Sequence, residues 1–500
     1  MRSRKALLNV GSATVSQLVV MVCGLIIPRL IIGTFGSEVH GIVASITRFL
    51  AYISFLELGI TVVTRTSLYK PLAKGDMVAV GSTVYTTQRY FRKVAFVFVF
   101  YALLLALVFP LLGVYSLSYV ELFWLVLVMS VGHFFHYYLG LTRRILLIAD
   151  QRSYVTFYLD TAAHVVHTVL ILLAVMMGAG IHLVKFLPFA IAAVVSIILY
   201  AYVNRYYQLD PKNKDLTADI QNKWAGSWIQ TSRFFIEITP VTVLTLLTDF
   251  KEVSVYIVHN LVIVSIRTMV SIVTQGFESA LGSMIAKKEW VLLDKSFRLY
   301  ELIIHLLTAV LLTSTSFLIA PFIRLYTEGV ADINYMRPLF AQLLIVSVWL
   351  YCIRLPYRSI IVASGAFKEL STGIKIELGV NIGVSVVAVY FLGIVGVPVG
   401  SIAAMGFQLL NFVSYLSKNI LNRSVRVFVR RCLVSLLGIV TSLTLLYLSP
   451  MFEVHTYLDW IKLGMVTAML SGTVIVVANG LFYYQEMKDL YLRVKRVLIK

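Results

Sequence analysis

Long apolar stretches follow one another along almost the whole chain, and short polar loops separate them. A bilayer core of about 30 Å needs roughly 20 apolar residues per helix, and backbone groups in lipid have to be paired within their own segment. The pattern lacks the alternating polarity of barrel strands. It therefore predicts an all-α polytopic membrane protein with about 14 transmembrane helices, at 8–33, 39–64, 94–113, 120–142, 154–178, 182–204, 227–248, 253–279, 299–323, 338–360, 370–392, 395–417, 430–449 and 461–482.

The most polar stretch of the chain falls between the sixth and the seventh predicted span. We interpret it as a cytoplasmic linker at 208–224 between an N-terminal lobe at 1–207 and a C-terminal lobe at 225–420. The remaining segment, 421–500, would hold two extra helices and a basic amphipathic tail. The sequence thus predicts two six-helix lobes around a central cavity, followed by two C-terminal helices.

A short internal repeat supports this division. The first two spans carry Pro28 and Arg48, and the seventh and eighth carry Pro240 and Arg267 at similar places. Both units run in the same direction, so the lobes would be related by an axis along the membrane normal. Prolines in spans one and seven would let each lobe bend, or would only produce static kinks.

The distribution of charge sets the expected topology. Charged residues make up only 13% of the chain, against about a quarter in soluble proteins, and the net charge is +19. Lysine and arginine concentrate in alternate loops, which predicts a multi-pass membrane protein with both termini cytoplasmic. The basic excess then reflects topology and anionic lipids, and we expect no nucleic-acid partner.

Two basic segments have the pattern of helices that lie in the headgroup plane, Tyr85–Lys93 and Tyr484–Lys500. The three cysteines, Cys23, Cys352 and Cys432, fall in or beside apolar spans. Their spacing fits no metal site, so we interpret them as small buried apolar residues.

Arginines inside the predicted spans carry the strongest functional signal. A charge at bilayer depth costs at least about 2.5–3.5 kcal/mol, so it faces a partner or a hydrated cavity. Arg29, Arg48, Arg233 and Arg267 come from the same helix pair of each lobe, and together they would form a cationic cavity for a phosphate or pyrophosphate. The alternative is local neutralisation, as between Arg233 and Glu237 at i, i+4.

Other charged residues in the spans leave alternatives open. Arg354 lies near the cytoplasmic end of its span and is either a gate residue that meets substrate or a snorkelling anchor. Glu57, Asp160 and His164 are candidates for binding a coupling ion or proton. Interhelical hydrogen bonding explains Asp160 and His164 equally well.

Motifs of enzymes are not found in the sequence. There is no Walker loop, no Gly-x-Ser-x-Gly, and no pair of carboxylates in a long polar loop. We therefore expect a protein that is not an enzyme and needs no cofactor or metal.

Six segments of the sequence have a familiar pattern: Pro28–Ile32, Thr34–Val39, Leu56–Gly59, Leu68–Ala73, Ala149–Arg152 and Ala363–Glu369. They resemble Wzx-type polysaccharide flippases of the multidrug/oligosaccharidyl-lipid/polysaccharide exporter superfamily. The resemblance covers most of the N-terminal lobe and is patchier afterwards.

The resemblance implies a transporter that flips an undecaprenyl-pyrophosphate-linked oligosaccharide from the inner to the outer leaflet, driven by an ion or by the membrane potential. It also implies that a polysaccharide polymerase and glycosyltransferases work beside it. Relatives use cavity arginines on the lipid pyrophosphate, and Arg29, Arg48, Arg233 and Arg267 lie on matching helices. Two alternatives remain: a cation-coupled multidrug exporter of the same superfamily, and a membrane-embedded polysaccharide polymerase or ligase.

Overall fold

The computed structural model describes residues 2–113, 116–209, 227–449 and 453–498. Most of these residues are helical, and none of them forms a β-strand. The α-helices are α1 Arg2–Ala51, α2 Leu58–Lys74, α3 Met77–Val108, α4 Tyr119–Phe135, α5 Leu141–Ala149, α6 Ser153–Met176, α7 Ile181–Tyr207, α8 Ser227–Leu247, α9 Phe250–Ala286, α10 Trp290–Tyr326, α11 Pro338–Ile353, α12 Leu355–Ala363, α13 Phe367–Leu392, α14 Gly396–Asn419, α15 Val425–Leu448, α16 Tyr457–Phe482 and α17 Tyr484–Leu498.

Eleven helical segments in the described part of the chain are long and apolar enough to cross a membrane. Two of them, Leu8–Leu56 and Ser371–Asn419, have 49 residues, about twice what one crossing needs. Each is interrupted by a glycine with positive φ, Gly36 (85°) or Gly393 (58°). The parts before and after that glycine correspond to two different predicted spans. The shorter apolar helix Phe234–Leu247 corresponds to the seventh span. The prediction of an all-α polytopic membrane protein is confirmed.

The chain forms two compact units, Met1–Ser254 and Val255–Lys500. The first includes α8 and the beginning of α9. Most of the linker predicted at 208–224 lies outside the described residues. The division into lobes at that linker stays a prediction.

In the first unit, α1 changes direction at Gly36, whose φ of 85° is available to glycine at little cost. The second half of α1 then packs very closely on the first turn of α9. A Cβ atom at Gly41 would lie 1.8 Å from the carbonyl oxygen of Phe250, so a larger residue would push the helices apart. Helix α3 begins at Met77, so the segment Tyr85–Lys93 is part of a long helix; the prediction of a separate surface helix there is wrong.

In the second unit, α13 and α14 form a tight antiparallel pair joined by the 3₁₀ turn Gly393–Val395. A Cβ atom at Gly400 would lie 2.7 Å from the backbone nitrogen of Ser385, so glycine permits this contact. Helices α11 and α12 are separated at Arg354, just before Pro356, whose ring nitrogen cannot donate a helical hydrogen bond.

Candidate functional site

The second unit brings Arg267 and Arg354 to one aromatic side chain. The guanidinium carbon of Arg267, on α9, lies 5.1 Å from the centroid of the Tyr351 ring, and that of Arg354 lies 5.2 Å from it. Such distances allow cation–π attraction. Tyr351 lies on α11, one turn before the break between α11 and α12 at Arg354. The break therefore determines the position of the Arg354 guanidinium relative to the ring.

The two arginines differ in their counter-ions. Arg354 is buried and forms an ion pair with Glu377, which is also buried, on α13. Arg267 is half-buried, and its Nε atom is buried without a hydrogen-bond acceptor. Among the residues that the structure describes, no carboxylate oxygen lies within 4.0 Å of the Arg267 guanidinium. The cluster of Arg267, Tyr351, Arg354 and Glu377 therefore has two cations for one carboxylate.

In the first unit, Arg48 on α1 lies opposite Glu237 on α8. Its Nη1 atom is 3.9 Å from Glu237 Oε1, and the Glu237 side chain is 65% exposed. This is a long, weak ion pair. Glu237 is the carboxylate that sequence spacing offered as a partner for Arg233, whose backbone belongs to α8 and whose side chain lies outside the described residues.

Hydroxyl and imidazole groups of α1 and of the 3₁₀ turn that follows it make further polar contacts to α8 and to the first turn of α9. The Tyr52 hydroxyl lies 2.8 Å from Thr242 Oγ1, Ser45 Oγ lies 2.6 Å from Thr245 Oγ1, and His40 Nδ1 lies 2.7 Å from Ser254 Oγ. The second half of α1 is thus connected to α8 and the first turn of α9 by a row of polar contacts. Arg29, also on α1, is half-buried, and its Nη1 lies 3.8 Å from a Cβ built at Gly33.

The three candidates for ion or proton coupling lie in the first unit with different partners. Glu57 lies between the 3₁₀ turn Tyr52–Leu56 and α2, and the Tyr137 hydroxyl donates a hydrogen bond to its carboxylate. Its Oε2 atom is buried, and no residue that the structure describes donates to it. Asp160 accepts two hydrogen bonds from Arg144, at 2.7 and 2.6 Å. His164 lies on the same helix as Asp160 and packs edge-on against His167, with ring centroids 5.0 Å apart.

Sequence reasoning did not single out Arg144 or Lys185. Arg144 lies just after the fourth predicted span, and its bidentate bond to Asp160 joins α5 to α6. Lys185 lies in the second turn of α7 and is close enough to His40 and His167 to act on both electrostatically. A lysine within an apolar helix is a signal that the sequence already contained.

The fold places this chain in a known class of transporter architecture. The lipid II flippase MurJ in an inward closed conformation matches it with a TM-score of 0.70 and 14% identity, over 96% of this chain and 99% of that one. An inward-facing multidrug resistance MATE family transporter of the MOP superfamily matches with a TM-score of 0.63 and 13% identity, over 82% and 99%. A mutant of the Vibrio cholerae MATE transporter VcmN matches with 0.51 and 15%, over 83% and 96%.

No protein-family model matches this sequence, and no curated protein matches it. The similarity therefore lies in the fold. The chain is a multi-pass membrane protein with the fold shared by the lipid II flippase MurJ and the MATE transporters of the MOP superfamily.

Proposed function

We propose that this protein is a flippase, not an enzyme, that moves an undecaprenyl-pyrophosphate-linked oligosaccharide, a repeat unit of a surface polysaccharide, from the inner to the outer leaflet. It would act by alternating access in the bacterial cytoplasmic membrane, with both termini cytoplasmic. The moving parts would be the lobes 1–207 and 225–420. A polymerase and glycosyltransferases would consume and supply the lipid-linked glycan.

The observation that carries the proposal is the state of Arg267. A guanidinium at bilayer depth is costly unless it meets an anion or water. Arg267 has an aromatic ring beside it and, within the described residues, no carboxylate in ion-pairing distance. Since guanidinium binds phosphate oxygens through charge-assisted bonds, this arginine suits a pyrophosphate.

Arg48 would serve as a second contact. At 3.9 Å, its attraction to Glu237 is weak, and Glu237 is open enough to exchange its partner for water. A phosphate oxygen could therefore replace Glu237 at little cost. We keep Arg29, Arg233 and Arg354 in the proposed substrate path; Arg354 would act through the shared Tyr351 ring, because Glu377 already neutralises it.

For coupling to an ion or proton, we propose Glu57 as the first residue to test. Among the described residues, no cationic nitrogen lies within 4.0 Å of its carboxylate, so its protonation or ion binding is not opposed by a fixed partner. Asp160, with His164 one turn further along α6, would contribute only after release of the Arg144 pair. The membrane potential alone could drive the step, since one charge gains about 2.3 kcal/mol per 100 mV.

The test is complementation of a strain that lacks the gene. Cells with Arg267→Ala should accumulate sugar-linked polyprenyl pyrophosphate on the inner leaflet, and their surface polysaccharide should fall by about tenfold or more, because one charge-assisted contact is worth roughly 1.5–3 kcal/mol. Arg267→Lys should restore part of the export, since it keeps the charge and loses the fork of donors.

The matched control is Arg298→Ala, which removes an exposed arginine of α10 whose partner is Asp294, one turn earlier. It should export normally. Normal export by a well-expressed Arg267→Ala protein would refute the proposal. Unchanged carrier lipids together with new sensitivity to cationic dyes in the deletion strain would instead favour a multidrug exporter.

A further inference from the structure

A second arginine is buried without a counter-ion, far along the chain from the proposed substrate contacts. Arg143, in the first turn of α5, is 0% exposed. Its Nη2 atom donates a 3.2 Å hydrogen bond to Asn204 Oδ1, and its guanidinium carbon lies 4.4 Å from the centroid of the Tyr200 ring. Its Nε and Nη1 atoms are buried without any acceptor.

The ionisable side chains that act most strongly on Arg143 are the phenols of Tyr200 and Tyr85 and the guanidinium of Arg92, and none of these three is a carboxylate. Asp150, which follows the last residue of α5, is engaged by Lys5 and Arg152. Arg143 therefore has no carboxylate within 4.0 Å among the described residues.

Helix α3 carries further hydrogen-bond donors, and two of its side chains act on Arg143 electrostatically. Tyr85 and Arg92 are seven residues apart and lie on one face of α3, and Gln88 lies between them on that face. Gln88 is 3% exposed, and its Nε2 atom has no acceptor; the Nε atom of Arg92 is also buried without one. Three side chains thus hold unused N–H donors, and two of them are cations.

Such an arrangement needs an acceptor. A buried charge without a partner costs several kcal/mol, and each unsatisfied buried donor costs about 1–3 kcal/mol more. Guanidinium and amide donors are the groups that bind the oxygens of a tetrahedral oxyanion, and here they come from α3 and α5, two helices in contact. We propose that Arg143, Arg92 and Gln88 bind a phosphate group at the cytoplasmic end of the first unit, separate from the substrate path. The group comes either from free phosphate or from the headgroup of an anionic phospholipid.

A cavity of about 410 Å³ lies at the ends of the helices that build the cluster, and its volume is within the usual range for ligand pockets. Its lining comes from α2, α3, the loop after α5 and the end of α7: Leu72, Met77, Asp150, Arg152, Tyr206, Tyr207 and Gln208. Arg143 and Asn204 belong to α5 and α7 and are not among these lining residues.

The experiment uses the full chain purified in dodecyl maltoside, a detergent without phosphate. Its melting temperature is measured in sodium phosphate, in sodium chloride of equal ionic strength, and in chloride with added phosphatidylglycerol. Binding of radiolabelled phosphate is measured in parallel. Phosphate or phosphatidylglycerol should raise the melting temperature of the wild type, and the arm that does so identifies the source of the group.

Arg143→Gln should remove this increase and weaken phosphate binding by about tenfold or more. Arg89→Gln is the matched control, because Arg89 is an exposed arginine of α3 next to Gln88, and it should respond as the wild type does. Gln88→Leu keeps every charge and should also weaken phosphate binding. It therefore tests the proposal if Arg143→Gln does not fold. Equal melting temperatures in all three solutions, or a full response in both Arg143→Gln and Gln88→Leu, would overturn the proposal.

Discussion

Among the described residues, two arginines are completely buried, Arg431 and Arg143, and their surroundings differ in charge. Arg431, on α15, lies 3.5 Å from Glu301 and 2.5 Å from Glu486, and it donates a hydrogen bond to the carbonyl oxygen of Arg298. Arg143 has an amide, an aromatic ring and another arginine around it. Both side chains are equally inaccessible, so burial alone does not separate them.

The partners of each arginine indicate whether it stabilises the helix packing or is available to bind an anion. Glu301 is 0% exposed and is also 2.9 Å from Arg423, so the region around Arg431 contains two cations and two carboxylates that the chain itself supplies. A buried ion pair of this kind holds helices in register, and α10, α15 and α17 meet there. Within the part of the chain that the structure describes, Arg143 and Arg267 have no carboxylate partner. Such arginines are the ones to test for an anionic ligand.

The largest effect should follow from breaking the complete network. Glu301→Gln leaves Arg431 and Arg423 buried with too little negative charge, which costs about 3–5 kcal/mol when a buried pair is broken. We expect a strongly lowered melting temperature or loss of folded protein in a size-exclusion assay. Glu289→Gln, at the exposed beginning of α10, is the control. Equal stability of the two variants would show that the network is not needed for stability.

A smaller effect of opposite sign should follow from giving Arg143 a carboxylate. Asn204→Asp keeps the shape of the side chain that Arg143 already contacts at 3.2 Å and adds a negative charge. A charge-assisted bond is worth roughly 1.5–3 kcal/mol, so the variant should be more stable than the wild type in phosphate-free detergent. Its melting temperature should no longer respond to phosphate. If Asn204→Asp is less stable than the wild type and its melting temperature still responds to phosphate, the inference that Arg143 needs an anionic partner is contradicted.

The smallest effect should come from an exposed ion pair beside the complete network. Lys295 on α10 lies 3.4 Å from Asp489 on α17, and both side chains are about half exposed. Exposed pairs are worth about 0.2–1 kcal/mol, so Asp489→Asn should lower the melting temperature only slightly. Glu486→Gln on the same helix, which faces buried Arg431, should cost more. A larger loss of melting temperature in Asp489→Asn than in Glu486→Gln would mean that exposure does not determine how much these ion pairs stabilise the protein.

Hydropathy by itself determined the number and approximate places of the transmembrane helices. This works because lipid offers no hydrogen-bond partners, so every crossing has to be a helix of sufficient length. The same argument identified Arg48, Arg267 and Glu57 as charges in costly places. It erred at Tyr85–Lys93, because a basic stripe was interpreted as a surface helix although the donors of α3 point partly inward.

Only the tertiary structure decided which charges meet. Spacing along one helix offered Glu237 to Arg233, whose side chain lies outside the described residues. It could not show that Glu237 lies 3.9 Å from Arg48 or that Asp160 pairs with Arg144, because these partners belong to other helices. Local spacing constrains only neighbours three or four residues apart, while a long side chain in a bundle reaches whichever partner an adjacent helix presents. That is also why the burial of Arg143 and the unpaired state of Arg267 could not be predicted from the sequence.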